Sequence, residues 1–233
     1  YMMEESHMKK IFLSVALSIT IFLILLTGCS GDGPSGTISG GDWTPGQTSV
    51  KLLGGSWYSE NGHVYVFYSA EATNKSSKTF DGSTINVNCL DEEGHGLYSS
   101  PSYIVAIAAG DAIRYSNSFD YIGRIPTSLD LRFTDNPAMY SDDKVSQRSD
   151  FVVSDIHSSG SNAFYTISGT VINNSFKKQS VQVSAIFKQD GKIVGGKFCY
   201  SDPIEVGKSG SFTIYLPHTF ENCDLYEVVA TAY

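Results

Sequence analysis

The chain has 233 residues, of which 24 are acidic and 16 are basic, so its formal net charge is −8. This acidic balance leaves no positively charged surface for nucleic acid, which is therefore excluded as a partner. Aromatic residues make up 12% of the chain, and apolar residues alternate with polar ones over short stretches instead of recurring at helical spacing. The pattern favours an all-β fold with little helix.

The N-terminal residues have the form of a secretion signal. Lys9 and Lys10 precede an apolar stretch over 11–26, which is shorter than the roughly 20 residues that a membrane-spanning helix needs. We expect residues 1–28 to be a signal peptide, with 1–7 as an extension upstream of a start at Met8.

The four residues Leu26-Thr27-Gly28-Cys29 end the apolar stretch and resemble the lipobox of bacterial lipoproteins. The resemblance implies that Cys29 is diacylated and becomes the N-terminus after cleavage. Membrane lipid is then a partner of the chain, with about 0.8 kcal/mol of anchoring for each buried methylene. The alternative is an uncleaved anchor, which places the remaining residues on the same, extracytoplasmic side of the cell envelope.

Residues 29–48 are rich in Gly, Ser, Thr and Pro and carry too few apolar side chains to bury a core. We expect a flexible linker here. Trp43 either packs on the domain that follows or reaches toward the membrane, and packing is favoured.

The remaining sequence repeats itself. An Asn-x-Ser-x-Lys motif at 74–78 recurs at 173–177, an offset of 99, and Gly94 recurs as Gly191, an offset of 97. Offsets that drift by a few residues are typical of duplicated domains.

Each copy contains six or seven short alternating strands, and these can bury their apolar faces only as two sheets packed face to face. We predict two tandem immunoglobulin-like β-sandwich modules, over 49–135 and 150–233, joined by a linker over 136–149. The inward candidates are Ile85, Val87 and Cys89 in the first copy and Val181, Val183 and Ala185 in the second. Their parity differs by one in the alignment, which predicts a bulge or a misplaced gap.

Three runs in the second copy, 169–175, 181–192 and 207–212, look like the FxLYD-type modules of bacterial surface lipoproteins. The first copy departs from that pattern at 97–101 and after 115. The resemblance implies immunoglobulin-like or fibronectin-like sandwiches on the cell surface, and it implies no catalysis.

No pattern typical of chemistry is present. The histidines after Cys29 lack metal-ligand spacing, and the chain has no Gly-x-Ser-x-Gly elbow, P-loop or dinucleotide fingerprint. We therefore predict no catalytic residue, no metal site and no cofactor. A disulfide between Cys199 and Cys223 is chemically permitted outside the cytoplasm, which would leave Cys89 unpaired in a buried strand.

Aromatic side chains crowd the first copy and suggest a binding surface. Some of them can form a stacking platform for a sugar or a peptide, and the alternative is that they fill the core. The candidates for this surface are Tyr98, Tyr103, Phe119 and Tyr121.

The sequence thus predicts a non-catalytic, lipid-anchored protein of the cell surface that acts as a binding or scaffold module, with a protein or glycan as ligand. One alternative is an accessory subunit of an envelope transport or secretion complex, held by strand-edge pairing. The other is a surface hydrolase, for which no motif is present.

Overall fold

The computed structural model describes residues 36–44, 46–160 and 164–233, and these are built mainly from strands. The helical elements within these ranges are three short 3-10 turns, Pro137–Met139, Arg148–Asp150 and His218–Phe220. The all-β prediction is confirmed. No helix in the described ranges has the length and apolarity that crossing a bilayer requires. The predicted signal peptide, its upstream extension and Cys29 lie outside the described residues.

The N-terminal half, defined here as the strands up to residue 141, contains one large sheet and a small two-stranded one. Its strands are β1 (Gly36–Gly40), β2 (Asp42–Trp43), β3 (Thr48–Glu60), β4 (His63–Asn74), β5 (Thr79–Phe80), β6 (Ser83–Leu90), β7 (Gly96–Ile104), β8 (Ala112–Ile122), β9 (Ser128–Arg132) and β10 (Tyr140–Ser141). The large sheet has the order β7–β6–β9–β1–β3–β4–β8, with β2 beside β3, and β5 pairs with β10. Val66, Val87 and Leu129 meet in one buried core, so β6 and β9 face β4.

The C-terminal half, defined as the strands from residue 151 onward, consists of two three-stranded sheets. Its strands are β11 (Phe151–Gly160), β12 (Tyr165–Asn173), β13 (Val181–Gln189), β14 (Lys192–Tyr200), β15 (Ser209–Leu216) and β16 (Asp224–Ala232). The sheet orders are β11–β12–β15 and β14–β13–β16. Ile167, Val183 and Ile214 from the two sheets share a second buried core.

The strand order of the two halves is the same. The neighbours β3–β4–β8 correspond to β11–β12–β15, and β7–β6–β9 correspond to β14–β13–β16. The predicted inward residues of both copies are fully buried, and register shifts occur at Cys89/Leu90 and at Phe187/Lys188, where bulges absorb single residues. Both halves belong to one compact unit, so the division into independent modules stays a prediction.

The repeated Asn-x-Ser-x-Lys motif forms the same buried corner in each half. Asn74 Nδ2 donates to the carbonyls of Lys78 and Ile107 at 2.7 and 3.0 Å, while its Oδ1 accepts from the backbone and hydroxyl of Ser76. Asn173 makes the equivalent contacts with Lys177, Ile204 and Ser175. The motif recurs because each buried turn needs an amide to satisfy its backbone groups.

Part of the predicted flexible linker is strand, which corrects the prediction for residues 36–43. Strand β1 pairs antiparallel with β3 and parallel with β9, so it joins the two layers of the N-terminal half. Ile38 is buried in the core, and Trp43 packs against it while its Nε1 donates to the Phe133 carbonyl at 3.0 Å. This stretch forms strands although it has few apolar side chains, because β3 and β9 supply hydrogen-bond partners for its backbone. Residues 29–35 lie outside the described residues.

The stretch 136–149, predicted as a linker, is also packed against the N-terminal half. Tyr140 in β10 pairs with Phe80 in β5, and its hydroxyl lies 2.8 Å from both Thr48 Oγ1 and Asp135 Oδ1. These contacts are long-range in sequence, which is why local composition did not reveal them.

The two halves pack through the sheets β3–β4–β8 and β14–β13–β16, which face each other. Strand β4 is buried on both faces: Val66 and Tyr68 face the first core, whereas Phe67 belongs to the second. Strand β13 is likewise buried on both faces, since Ser184 opposite the second core accepts from the Ser116 backbone N–H. Each of these two sheets therefore covers the face that the other turns away from its own core.

Glycines allow the backbones of these sheets to come close. A Cβ at Gly54 in β3 would collide with the Ile193 carbonyl of β14, and one at Gly195 would lie 2.7 Å from the Phe67 carbonyl carbon. Gly195 also has φ of 96°, a conformation that L side chains rarely adopt. The hydroxyl of Ser56 donates to the Val194 carbonyl across the same contact. Small side chains thus fix how closely the halves pack.

An ion-pair network connects the halves at their margin. Arg114 on β8 donates to Glu71 at 2.7 Å and to Glu227 at 3.0 Å, and Arg148 donates to the other oxygen of Glu227 at 2.8 Å. Hydrogen bonds to Glu71 and Glu227 raise the pKa of Arg114 above its already high ordinary value. The network helps to fix how the two halves are oriented. Its contribution to the free energy of unfolding is small, because its side chains are partly exposed.

Replacement of Gly54 by alanine tests the close packing. We expect Gly54→Ala to lower the free energy of unfolding by about 1–3 kcal/mol, because the added methyl meets backbone. Gly41→Ala is the matched control, since nothing lies within 4 Å of a Cβ there. Urea denaturation measures both variants, and equal midpoints for the two would show that the sheets do not pack this closely.

Candidate functional site

Three of the four predicted binding-surface residues come together in one aromatic cluster, in which Tyr98 stays 39% exposed. The rings of Tyr98 and Tyr121 stack with centroids 4.6 Å apart, and Phe119 lies 5.9 Å from Tyr98. Tyr121 is 6% exposed, and its hydroxyl donates to the Arg124 carbonyl at 2.7 Å. Tyr121 therefore offers no surface to a ligand, which corrects that prediction, and Tyr98 covers it.

Tyr103, the fourth candidate, lies elsewhere and borders a different feature. It is 52% exposed at the end of β7 and lines a cavity of about 340 Å³, which we call the edge groove. The lining residues are Thr84, Pro101, Ser102, Tyr103, Tyr115, Asn117, Gln182, Phe198 and Tyr200.

The edge groove results from how the sheets end. Strands β7 and β8 are the two terminal strands of the large sheet, so the N-terminal sandwich is open along the side where they approach each other. Strands β13 and β14 of the C-terminal half supply Gln182, Phe198 and Tyr200 next to this opening. The groove therefore needs both halves, and sequence inspection of either copy alone does not predict it.

Tyr115 on β8 contributes the most unusual polar atom of the groove. The residue is 3% exposed, and its hydroxyl is one of three buried side-chain polar atoms in the described chain without a hydrogen-bond partner. Burial raises the pKa of Tyr115 well above its ordinary value of 10, so the hydroxyl stays protonated and can both donate and accept. A buried hydroxyl without a partner costs about 1–3 kcal/mol, and a bound ligand or water would remove that cost.

The neighbouring polar groups are already oriented. Ser102 Oγ accepts from the Tyr68 hydroxyl and from Asn117 Nδ2, both at 2.9 Å, which leaves its own hydroxyl proton free to donate. Asn117 Oδ1 in turn accepts from the Ser118 backbone N–H at 2.7 Å. These bonds hold Ser102 and Asn117 in fixed positions at the groove.

Aromatic rings form the outer wall. Tyr200 is 46% exposed, lies edge-on to Phe198 with centroids 5.1 Å apart, and contacts Tyr233 with centroids 4.1 Å apart. None of the lining residues of the edge groove carries a charge. The arrangement therefore combines exposed ring faces with neutral hydrogen-bonding groups, which is the composition of a site for a neutral polar ligand.

A second hollow of about 370 Å³ lies on another side of Tyr103. It is lined by Asp81, Tyr103, Val105, Ala106, Val145, Ser146, Lys177, Gln179, Ala232 and Tyr233. Its one acidic residue, Asp81, and its one basic residue, Lys177, leave the hollow without net charge. Asp81 already accepts from the Ser141 hydroxyl. Tyr103 is common to the two cavities and links them.

Three larger clefts carry charges of both signs. The first, of about 650 Å³, includes the pair Lys78–Asp142, and the second, of about 640 Å³, includes Glu60 and Lys197. The third, of about 530 Å³, is lined by Tyr98, Asp130 and Arg132. The turn at the second cleft carries the remaining buried atoms without partners, His218 Nε2 and Thr219 Oγ1. That cleft is also close in sequence to residues 161–163, which are outside the described ranges.

The described residues contain few groupings suited to catalysis or metal binding. His63 lies 3.2 Å from Asp120, and His218 lies 3.3 Å from Glu221, but no described serine or cysteine is hydrogen-bonded to either ring. The ligand atoms of Asp91, Glu93 and His95 lie within 4.8 Å of one another. A cation at that point would compete with Arg124, which already pairs with Asp91 at 3.2 Å.

Cys199 and Cys223 are free cysteines, so the disulfide that the sequence permits does not form. Cys199 lies opposite Val183 of β13, whereas Cys223 adjoins Asp224, which lies opposite Lys188 on the other side of β13. Five residues of strand separate the two positions by about 16 Å, far more than a disulfide spans. Cys89 is free and fully buried.

No protein-family model matches the chain, and no curated protein is significantly similar to it. The geometry of the described residues is therefore the basis for any functional assignment.

The state of the cysteines is directly measurable. Burial raises the pKa of Cys89, Cys199 and Cys223 to about 11, so at about pH 7 almost none of each thiol is the reactive thiolate. In a Cys29→Ser chain we expect slow maleimide labelling in native buffer and three adducts in urea without reductant, read by intact mass. Two adducts that appear only after reduction would show that Cys199 and Cys223 are bonded.

A pair of tyrosine variants tests the edge groove. Tyr115→Phe removes a hydroxyl without a partner, and we expect it to raise the free energy of unfolding by about 1 kcal/mol or leave it unchanged. Tyr68→Phe removes a hydroxyl that donates to Ser102, and we expect it to lower the same quantity by about 1 kcal/mol. Thermal and urea unfolding measure both; a marked loss for Tyr115→Phe would mean that its hydroxyl already has a partner.

Proposed function

We propose that the protein is a non-catalytic, lipid-anchored component of the bacterial cell envelope that binds a neutral polar ligand in the edge groove. The lining of the edge groove carries this proposal, because it is uncharged and includes Tyr115, whose buried hydroxyl lacks a hydrogen-bond partner. The exposed rings of Tyr103 and Tyr200 line the same groove and provide apolar contact area.

The anchor is supported by sequence. The resemblance of residues 26–29 to a lipobox follows an apolar stretch of signal-peptide form, and an envelope location suits a chain without the positive charge that nucleic acid would require.

The close contact between the halves supports a binding role. The edge groove takes residues from β7, β8, β13 and β14, and the glycine-mediated packing and the Arg114 network hold those strands together. A site whose walls are fixed before binding loses little entropy when the ligand arrives.

The anchor is tested by producing the chain in a bacterial host that is fed an alkyne-labelled fatty acid. We expect label on the wild-type protein, which then partitions with membranes, and neither label nor membrane association for Cys29→Ser. Label that persists on Cys29→Ser, or none on the wild type, would contradict lipidation at this cysteine.

Ligand binding is tested on arrays that carry neutral glycans, charged glycans and peptides. We expect the full chain to bind neutral probes and Tyr103→Ala to lose that signal, because its ring joins the two cavities. Tyr226→Ala is the matched control, since Tyr226 is similarly exposed on β16 and lines neither cavity. Equal signals from the two variants would contradict the assignment of the edge groove as the site.

A further inference from the structure

The absence of charged side chains in the edge groove restricts the class of ligand that it can bind. All nine lining side chains are neutral, so neither an anionic nor a cationic group of a ligand would find a counter-ion there. Burying a charge without a partner is strongly unfavourable, and the groove therefore selects against charged ligands.

The polar groups of the groove indicate which hydrogen-bonding groups the ligand carries. Thr84, Ser102 and Tyr115 offer hydroxyls, and Asn117 and Gln182 offer amides. Every one of these side chains can both donate and accept hydrogen bonds. The hydroxyls of a sugar have the same dual character, and the apolar faces of a sugar ring fit the exposed rings of Tyr103 and Tyr200.

A peptide could instead bind by adding a strand to a free sheet edge, but three backbone positions at this site disfavour that mode. Edge strand β7 carries Pro101 at the groove, which has no backbone N–H to donate. On edge strand β8, the Ser116 N–H already donates to Ser184 Oγ at 3.2 Å, and the Ser118 N–H donates to Asn117 Oδ1. A strand added here would therefore lack a donor at Pro101 and would find the N–H groups of Ser116 and Ser118 already engaged.

The second hollow indicates that the ligand is longer than one ring. It shares Tyr103 with the edge groove, and it is also lined by Tyr233, which is 61% exposed and contacts Tyr200 of the groove. A chain bound in the groove would thus meet further aromatic surface once it passes Tyr103.

Resting on the proposed binding function, we infer that the ligand is a neutral oligosaccharide that binds with one sugar in the edge groove and continues across Tyr103 into the second hollow. Tyr115, Ser102 and Asn117 are its polar contacts in the groove, and Tyr103, Tyr200 and Tyr233 are the rings along its path.

The test is calorimetric titration of the full chain with neutral hexasaccharides of glucose, mannose and N-acetylglucosamine, and with the corresponding monosaccharides. We expect one hexasaccharide to bind at least about tenfold more tightly than its monosaccharide, a gain of about 1.4 kcal/mol from the second hollow. Tyr115→Phe is expected to weaken both by about tenfold without loss of stability. Tyr233→Ala is expected to weaken only the hexasaccharide, and Tyr226→Ala neither.

The outcomes separate this inference from the proposed function. Groove-dependent binding of neutral peptides, with no sugar bound, overturns the inference and leaves the proposed function, whereas groove-dependent binding of charged probes alone overturns both. Equal affinity for monosaccharide and hexasaccharide, or an unchanged hexasaccharide affinity in Tyr233→Ala, overturns the extension into the second hollow. If no probe on the arrays binds in a Tyr103-dependent way and no sugar gives heat, both are overturned.

Discussion

The close contact between two central sheets is the constraint on which the rest of the structure depends. Sheet β3–β4–β8 has to bury two faces at once, one on its own core through Val66 and Tyr68 and one against β14–β13–β16. That is possible because Gly54 and Gly195 let backbone meet backbone, and because Ser56 satisfies the Val194 carbonyl inside the contact. Larger side chains at these positions would separate the halves and leave β4 and β13 with an uncovered face.

The candidate site follows from that contact. An antiparallel sandwich is open along the side where its terminal strands approach each other, and in the N-terminal half these strands are β7 and β8. Because the C-terminal half is held so close, Gln182, Phe198 and Tyr200 lie beside this opening and convert an edge into a groove. The Tyr115 hydroxyl is an exception in the sandwich. It is buried like a core atom, but it lacks the hydrogen-bond partner that buried polar atoms usually have.

Several features could be predicted because they depend on local pattern. Alternation placed Ile85, Val87 and Cys89 inward, and all three are fully buried on β6. The recurring Asn-x-Ser-x-Lys motif marked two turns that have the same hydrogen bonds. The site was harder: of four aromatic candidates only Tyr103 borders the groove, whereas Tyr121 is packed beneath Tyr98. Composition identifies an excess of aromatic residues but does not indicate which of them a second sheet will cover.

By itself the sequence determined the strand class, the repeated corners and the inward faces, because period-two alternation and turn chemistry act over a few residues. Only the tertiary structure decided that residues 36–43 are strands, that Cys199 and Cys223 lie too far apart to bond, and that β13 is buried on both faces. Each of these depends on partners tens of residues away. The edge groove is of the same kind, since it joins residues from Thr84 to Tyr200 that meet only after both halves have folded and packed.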